Sequence, residues 1–337
     1  MKEKIFFASV ARIADLESMD FECAPMPREQ WEAGDYVVGG ITVPPGGIAD
    51  IELTSGRLIR ASSGDAVLGA LAVRHATLEV VGSYERVGPD GRMDLLGGGG
   101  LLGRATSISG VFPGLMQVDY RGHAMRGGQK LNMRDFAKRP VQIYRVPTVL
   151  IIGTSMSAGK TTAAKVIIRE LKRTGRRVVG AKLTGAGRYR DILAMSDAGA
   201  DAIVDFVDVG LPSSVLAPDA YRDRLRDLLG LIAEAEPDVV VAEAGASPLE
   251  PYNGQVVLDT LADAVVFTVL CASDPYAVVG VMRGFHIVPD LVAGLATSTS
   301  AGVELVDKLS GAIALNLLDP EAMPALRAML ERALRSM

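Results

Sequence analysis

The sequence predicts an α/β fold in two domains: a carboxyl-terminal domain built on a doubly wound parallel sheet, preceded by a smaller β-rich domain, a barrel or a sandwich. Three observations support this. The chain has 337 residues, enough for two domains of roughly 150 residues each. Strand-like and helix-like segments alternate from residue 146 onward. Residues 35–92 instead hold short β-rich runs separated by turn signals. We therefore expect one domain at residues 1–145 and another at 146–337.

Composition narrows the class of function. The net charge is −5, which gives no basic footprint for nucleic acid. Hydrophobic residues make up 49% of the chain, yet the longest apolar runs, such as AVVFTVLC (264–271), are strand-sized. They fall far short of the roughly 20 residues that span a bilayer. The amino-terminal stretch has acids within its apolar part, and the two cysteines lie far apart without a CxxC motif. We expect a reduced cytoplasmic protein that binds neither nucleic acid nor membrane.

In the first domain, runs rich in β-branched and aromatic residues predict strands. In chain order they are DYVVGGITV (35–43), IADIELTSGRLIRAS (48–62), AVLGALAV (66–73) and ATLEVVGSYERV (76–87). The segment GPDGR (88–92) that follows is typical of a hairpin turn. Residues 1–34 begin with a strand or a helix, and the pattern does not decide which.

Two stretches of this domain leave alternatives open. The four glycines Gly97–Gly100 indicate a mobile surface loop, or a lid or backbone nest that binds an anionic ligand. The basic segment RGHAMRGGQKLNMRDFAKRP (121–140) indicates a solvated connector. Alternatively, it supplies cations to a substrate held between the domains.

The second domain alternates between strands and helices. Strands are predicted at TVLIIG (148–153), RRVVGAK (176–182), AIVDFVDVG (202–210), DVVVAEAG (238–245), AVVFTVLC (264–271) and GAIALNL (311–317). Helices are predicted at 160–174, about 190–199, 218–235, 254–262, 300–309 and 320–335. This alternation favours a parallel sheet, in which ligands bind beyond the carboxyl ends of the strands.

The connection between the first strand and the first helix of this domain has the pattern of a phosphate-binding P-loop. The Walker A pattern is G-x-x-x-x-G-K-[ST], and here only the first glycine is displaced, by one position. Backbone N–H groups and the helix N-terminus would bind the β-phosphate. Lys160 would reach the β and γ oxygens as a catalytic cation, and Thr161 would ligate Mg²⁺. The nucleotide-binding candidates are Gly153, Thr154, Ser155, Met156, Ser157, Ala158, Gly159, Lys160, Thr161 and Thr162.

The loop GTSMSAGKT (153–161) resembles the G-T-x-T-x-x-G-K-T loop of dethiobiotin synthetase and its relatives among P-loop amide ligases. Four more segments resemble that family in the same chain order: VVGAKLTGAG (178–187), MSDAGAD (195–201), VVVAEAGASP (239–248) and ALNLLDP (314–320). The resemblance covers roughly residues 150–320. It implies ATP and Mg²⁺ as cofactors and a small carboxylate or amino-acid substrate.

The resemblance also implies roles for single residues. Lys182 would orient the substrate carboxylate or carbamate that attacks the γ-phosphate. Asp197 and Glu243 would join Thr161 as metal ligands, and Glu243 would act near the reacting group. Asn316 would hydrogen-bond the base, because an amide suits the paired donor and acceptor of adenine.

The sequence also departs from that family. Met156 replaces a threonine and Ala244 replaces a glycine, and the β-rich domain has no counterpart there. The segment VLCASDPYAVVGVMRGF (269–285) instead resembles a P-loop group of unknown function that includes D-glutamate N-acetyltransferases. That resemblance covers the second half of the chain only, and it implies acetyl-CoA held at the P-loop.

Three functional hypotheses follow. The first is an ATP–Mg²⁺-dependent ligase or kinase that activates a small carboxylate. The second is an N-acyltransferase acting on an amino acid with acetyl-CoA. The third is a GTP-dependent cofactor-insertion protein, which is disfavoured because no lysine stands between Asn316 and Asp319, as a guanine-specific N-K-x-D motif requires. The resembling families imply a homodimer or a higher homo-oligomer.

Overall fold

The computed structural model describes residues 4–335, and the chain divides into two compact units. The first unit holds the chain up to Arg139 together with Ala186–Arg190 and Phe206–Val215. The second holds Pro140–Gly185, Asp191–Asp205 and the chain from Leu216 onward. Two segments from the predicted second domain thus belong to the first unit, because compact units are defined by contacts between residues distant in sequence.

Short strands build the first unit. They are β1 (Ile5–Phe7), β2 (Glu22–Ala24), β3 (Tyr36–Thr42), β4 (Asp50–Glu52), β5 (Leu58–Arg60), β6 (Ala66–Leu71), β7 (Val73–His75), β8 (Val80–Ser83), β9 (Arg92–Gly97), β10 (Leu101–Ile108), β11 (Gln117–Arg126) and β12 (Gln129–Lys130). Five of them close into a ring in the order β6, β3, β11, β9, β10, with β10 returning to pair with β6. Of the predicted alternatives, the β-rich domain is therefore a barrel, and closure removes the open edges of these strands.

One side chain from each barrel strand packs into the same buried cluster. They are Val37, Val67, Met93, Leu102 and Val118, each at most 1% exposed. Side chains alternate between the two faces of a strand, so every second residue of a barrel strand faces inward and is expected to be apolar. The sequence pattern predicted β3 and β6 of this ring but not β9, β10 or β11. Closure of the ring depends on the pairing of β6 with β10.

The basic segment 121–140 is not a solvated connector, and that prediction is wrong. Its first part completes β11, and β12 and a 3₁₀ helix at Met133–Phe136 follow. His123 and Asn132 are buried, and the Asn132 side chain donates to Asp35 at 2.8 Å. Buried apolar and hydrogen-bonded residues lie between the basic residues of this segment, and the basic composition alone did not indicate them.

The Gly97–Gly100 stretch is the hairpin turn between β9 and β10. Gly99 and Gly100 are buried, so the interpretation as a mobile surface loop is wrong. Gly100 has φ 101°, and a Cβ there would lie 2.3 Å from the Cβ of Ala8. Packing therefore requires glycine at this position. The predicted hairpin turn at 88–92 instead joins β8 to β9, and each of these strands pairs with β10.

The second unit alternates strands and helices as predicted. Its strands are β13 (Thr148–Gly153), β14 (Val178–Thr184), β15 (Ala202–Asp205), β16 (Val239–Ala244), β17 (Val265–Cys271) and β18 (Leu291–Ala293). Its helices are α1 (Lys160–Arg173), α2 (Tyr189–Asp197), α3 (Pro218–Glu234), α4 (Gly254–Leu261), α5 (Pro275–Phe285), α6 (Ser300–Ser310) and α7 (Met323–Arg335). The six strands are parallel in the order β15-β14-β16-β13-β17-β18. The predicted doubly wound α/β fold is confirmed.

Two predicted strands differ from the structure. The run AIVDFVDVG is a strand only through Asp205. The run GAIALNL makes a single bridge, between Ala314 and Val292 of β18, and Ile313 is 52% exposed. Ala312 and Ala314 are buried on either side of Ile313. The run is therefore half-buried, but with one bridge it does not extend the sheet as a further strand. Along residues 4–335, no helix is long and apolar enough to cross a membrane.

Candidate functional site

The loop between β13 and α1 turns tightly around the side chain of Lys160. A Cβ on Gly153 would lie 2.9 Å from Cδ of Lys160. Gly159 is the N-cap of α1 with φ 98°, and a Cβ there would lie 3.1 Å from Cα of Gly294. The displaced first glycine of the sequence motif thus stands where the lysine side chain passes, which leaves no room for a larger residue.

Lys160 lies inside this loop. Only 1% of the residue is exposed, and its Nζ donates to the carbonyl oxygen of Ser155 at 2.6 Å. Burial lowers the pKa of Lys160, and the nearby Glu243 acts in the opposite direction. An ammonium group in so little water gains more from an anion than an exposed one does, because the effective dielectric constant is low.

Of the other predicted loop residues, Thr154 and Ala158 have the clearest contacts. The Thr154 hydroxyl lies 3.3 Å from that of Ser273, after β17. Ala158 is buried against Gly294, since a Cβ on Gly294 would meet the Ala158 carbonyl oxygen at 2.2 Å. Met156 and Thr161 are half-buried, and Ser157 and Thr162 are exposed. Their contacts with phosphate stay a prediction.

Glu243 is the next-to-last residue of β16, the neighbour of β13, and contacts the start of α1. Its Oε2 accepts a hydrogen bond from the Thr161 hydroxyl at 3.1 Å, and the residue is 3% exposed. Burial raises the pKa of Glu243, while Lys182 and Lys160 pull it down. A hydroxyl and a carboxylate oxygen form the kind of donor set that a hard cation such as Mg²⁺ prefers. The structure thus brings two of the three predicted metal ligands together.

Lys182 stands in a row of charges across three strands. It pairs in register with Glu243 of β16 on one side and with Asp205 of β15 on the other. Its Nζ also donates to the carboxylate of Asp191, in the first turn of α2. Burial disfavours the charge of Lys182, but Asp191 and Glu243 outweigh it, and the pKa of Lys182 is raised. The group is therefore a buried, fully charged ammonium.

The assignment of Asp197 as a metal ligand is corrected. Asp197 is exposed at the last residue of α2, whereas Asp191 lies near its start, at the carboxyl end of β14. Six residues of helix separate them by roughly 9 Å along the axis, so the carboxylate at the site is that of Asp191. The sequence held a signal for it, because an acid in the first turn of a helix suits the helix dipole.

Asn316 lies beside the loop, and its role in binding the base stays a prediction. It lines a cavity of about 100 Å³ at the start of α1. Its Oδ1 accepts from the backbone N–H of Leu318 at 3.1 Å, and its Nδ2 lies 3.4 Å from the Ser298 carbonyl oxygen. The cavity is lined by Gly159, Thr162, Ala163, Gly294, Leu295, Ser298, Asn316, Leu317 and Leu318. Sequence reasoning missed the 294–298 wall, which only the fold brings to α1.

Comparisons with known proteins identify no family. No protein-family model matches the sequence, and no curated protein matches it significantly. Among solved structures, HypB from Helicobacter pylori in complex with nickel matches with TM-score 0.37 and 14% identity, over 57% of this chain and 88% of that one. Chloroplast FtsY from Physcomitrella patens matches with TM-score 0.36 and 17% identity, over 57% and 68%. A duf1611 family protein from Anabaena variabilis matches with TM-score 0.35 and 15% identity, over 61% and 66%.

These similarities are too weak to carry an argument about function. The P-loop architecture of the second unit follows from its own strand, loop and helix, in which Thr161 donates to Glu243. The more specific resemblance to dethiobiotin synthetase stays a prediction.

Proposed function

We propose that this chain is an ATP- and Mg²⁺-dependent enzyme that activates a small carboxylate by phosphoryl transfer, as a ligase or a kinase. The observation that carries the proposal is the pair of buried lysines, Lys160 and Lys182, on either side of Glu243. A nucleotide-hydrolysing switch needs one cation at the γ-phosphate. Lys182 is a second buried cation, one strand beyond Glu243, and it suits an anionic substrate that accepts the phosphoryl group.

Each residue of the site would have a role that follows from its position. The loop amides and Lys160 would hold the phosphates, and Thr161 and Glu243 would hold Mg²⁺, which neutralises charge that develops on the transferred group. Lys182 has three N–H donors, of which Asp191 accepts one. The remaining donors would orient a substrate carboxylate, so that one of its oxygens attacks the γ-phosphorus as the bond to the β-phosphate oxygen breaks.

Adenine suits the base cavity better than guanine does. Guanine-specific sites use an aspartate after the asparagine, and here that residue is Asp319. Its Oδ1 already accepts from the backbone N–H of Glu321 at 2.9 Å, as the cap of a 3₁₀ helix. The walls of the cavity are largely apolar, with Ala163, Leu295 and Leu317 among them. We therefore propose ATP as the nucleotide.

Calorimetry with ATP, GTP and acetyl-CoA, each with and without Mg²⁺, tests the proposal. Wild type should bind ATP only weakly without Mg²⁺, and Lys160→Ala should lose binding. Lys165→Ala, on the same helix, is the matched control. Lys182→Arg keeps the charge but not the ammonium geometry, so it should retain ATP binding and lose carboxylate-stimulated ADP release by at least tenfold. ATP binding that ignores both Mg²⁺ and Lys160 would refute the nucleotide role.

One observation favours the acyltransferase as a second candidate. The base cavity shares Leu317 and Leu318 with an open groove of about 500 Å³ that carries Arg169, Arg173 and Arg327. Arg173 and Arg327 pair with the carboxylate of Glu170 at 2.6 and 2.8 Å. Arg169 would attract the phosphate that coenzyme A bears on its adenosine ribose. On this account acetyl-CoA binds without Mg²⁺, and Arg169→Gln weakens acetyl-CoA binding without affecting ATP. Strong acetyl-CoA binding with no ATP signal would replace the first proposal by this one.

A further inference from the structure

The barrel unit contains a cavity that the proposed phosphoryl-transfer site does not use. Its volume is about 340 Å³, at the lower end of the roughly 300–1,000 Å³ typical of small-molecule pockets. All the residues that line it belong to the first unit. The lining combines apolar walls with arginines, which is the composition of a site for an amphipathic anion.

One arginine of this cavity is buried with a donor unused. Arg74, on β7, is 8% exposed. Its Nη1 donates to the carbonyl oxygen of Leu96 and its Nη2 to the carboxylate of Glu79. Its Nε has no hydrogen-bond partner among the described residues. This N–H is itself shielded from solvent, so Arg74 gives the cavity a positive charge close to its wall rather than a free donor.

Two further arginines are held at the cavity by a fixed backbone. Glu52 is fully buried, and its carboxylate accepts from the backbone N–H of Tyr189 at 2.6 Å and of Arg190 at 3.1 Å. The Tyr189 ring lies under the guanidinium of Arg12, at 4.6 Å. This anchoring presents Arg188 and Arg190 at the cavity. In the described part of the chain, neither side chain has a hydrogen bond or an ion pair with a protein group.

Charge and shape together define the ligand. Three arginines line the cavity with two carboxylates, Asp50 and Glu79, so one positive charge remains uncompensated. Much of the remaining wall is apolar and includes Leu58, Leu95, Phe112 and Met116. A phosphate ion would leave this wall without a partner. A carboxylate on an apolar body would satisfy both the guanidinium groups and the wall.

We propose that this cavity binds a monocarboxylate with an apolar body, at a site separate from the P-loop. The carboxylate accepts from Arg188 and Arg190 beside the positive charge of Arg74, and the apolar body lies against Phe112 and its neighbours. The site goes beyond the proposed function, because none of these residues belongs to the loop at 153–162 or contacts Lys182 or Glu243.

Calorimetric titration of the full chain with 4-phenylbutyrate tests the site, with 4-phenylbutyramide as the neutral probe and inorganic phosphate as the anion without an apolar body. The acid should bind at least tenfold more tightly than either. The double variant Arg188→Gln/Arg190→Gln should weaken it at least tenfold. Both side chains are exposed and unpaired in the described structure, so folding is not at risk. Arg28→Gln/Arg86→Gln, at exposed arginines away from the cavity, is the matched control.

Two more variants separate this site from others. Lys160→Ala should leave the affinity for 4-phenylbutyrate unchanged, because the P-loop lies in the other unit. Arg74→Lys keeps the positive charge but removes the hydrogen bonds to Leu96 and Glu79, so it should weaken binding by less than tenfold while circular dichroism shows the native spectrum. The proposal is overturned if the amide or phosphate binds as tightly as the acid, if the Arg188/Arg190 variant binds normally, or if Lys160→Ala abolishes binding.

Discussion

Replacing Lys182 by methionine should destabilise the second unit far more than removing an ordinary ion pair does. Lys182 is 5% exposed and is the cation between Glu243 and Asp205 in the strand register. Methionine fills a similar volume but leaves the carboxylates of Glu243, Asp205 and Asp191 without the neighbouring ammonium group. Removing one partner of a buried ion pair costs about 3–5 kcal/mol. Because the Asp191 side chain is 26% exposed and keeps some water, we expect the lower end, about 3 kcal/mol.

The loss in the free energy of unfolding of the Lys182→Met variant should depend on pH. Without Lys182, Glu243 keeps the burial that raises its pKa and loses the first of the cations that lower it. A carboxyl whose pKa is higher in the folded state than in the unfolded state favours folding at low pH, and this contribution disappears as pH rises through the folded-state pKa. The variant should therefore be closer to wild type at pH 5.5 than at pH 8.0.

Urea denaturation followed by far-ultraviolet circular dichroism measures this effect. With an m-value of about 2 kcal/mol/M, a loss of about 3 kcal/mol lowers the midpoint by roughly 1.5 M. Lys172→Met is the control, since Lys172 is 30% exposed and pairs with Asp201 at 2.7 Å; it should cost at most about 1 kcal/mol. Equal losses in the two variants, or a loss at Lys182 that is the same at both pH values, would refute the reasoning.

Two other predictions concern glycine and cysteine positions. Gly294→Ala should lower nucleotide affinity at least tenfold in calorimetry, because φ is 90° and the new Cβ would meet the Ala158 carbonyl oxygen at 2.2 Å. Gly280→Ala, in α5 with nothing within 4 Å, should instead stabilise by up to about 1 kcal/mol; equal behaviour of the two would contradict this. Burial raises the pKa of Cys271 to about 12, so iodoacetamide at pH 8 should label exposed Cys23 alone until urea is added, as mass spectrometry can show. Labelling of Cys271 in the native protein would count against its burial.

Local patterns in the sequence were sufficient for the P-loop and for most of the second unit. Gly159, Lys160 and Thr161 act together with residues adjacent to them in the sequence. The alternation of strands and helices is likewise visible in short stretches of sequence. The strand-end position of Glu243 followed from the same alternation, since parallel strands present their carboxyl ends at one edge. These features were predictable because each depends on short-range backbone geometry and hydrophobic periodicity.

Tertiary structure alone decided the rest. Asp191 rather than Asp197 reaches Lys182 because the direction of α2 places its first turn, and not its last, at the carboxyl end of β14. The barrel closes through one pair of strands, and Arg74 joins Arg188 at one cavity across more than a hundred residues of chain. Such contacts form when buried surfaces at distant positions fit together. No local period encodes that fit, so the sequence by itself predicted the phosphate loop, and the fold determined which charges surround it.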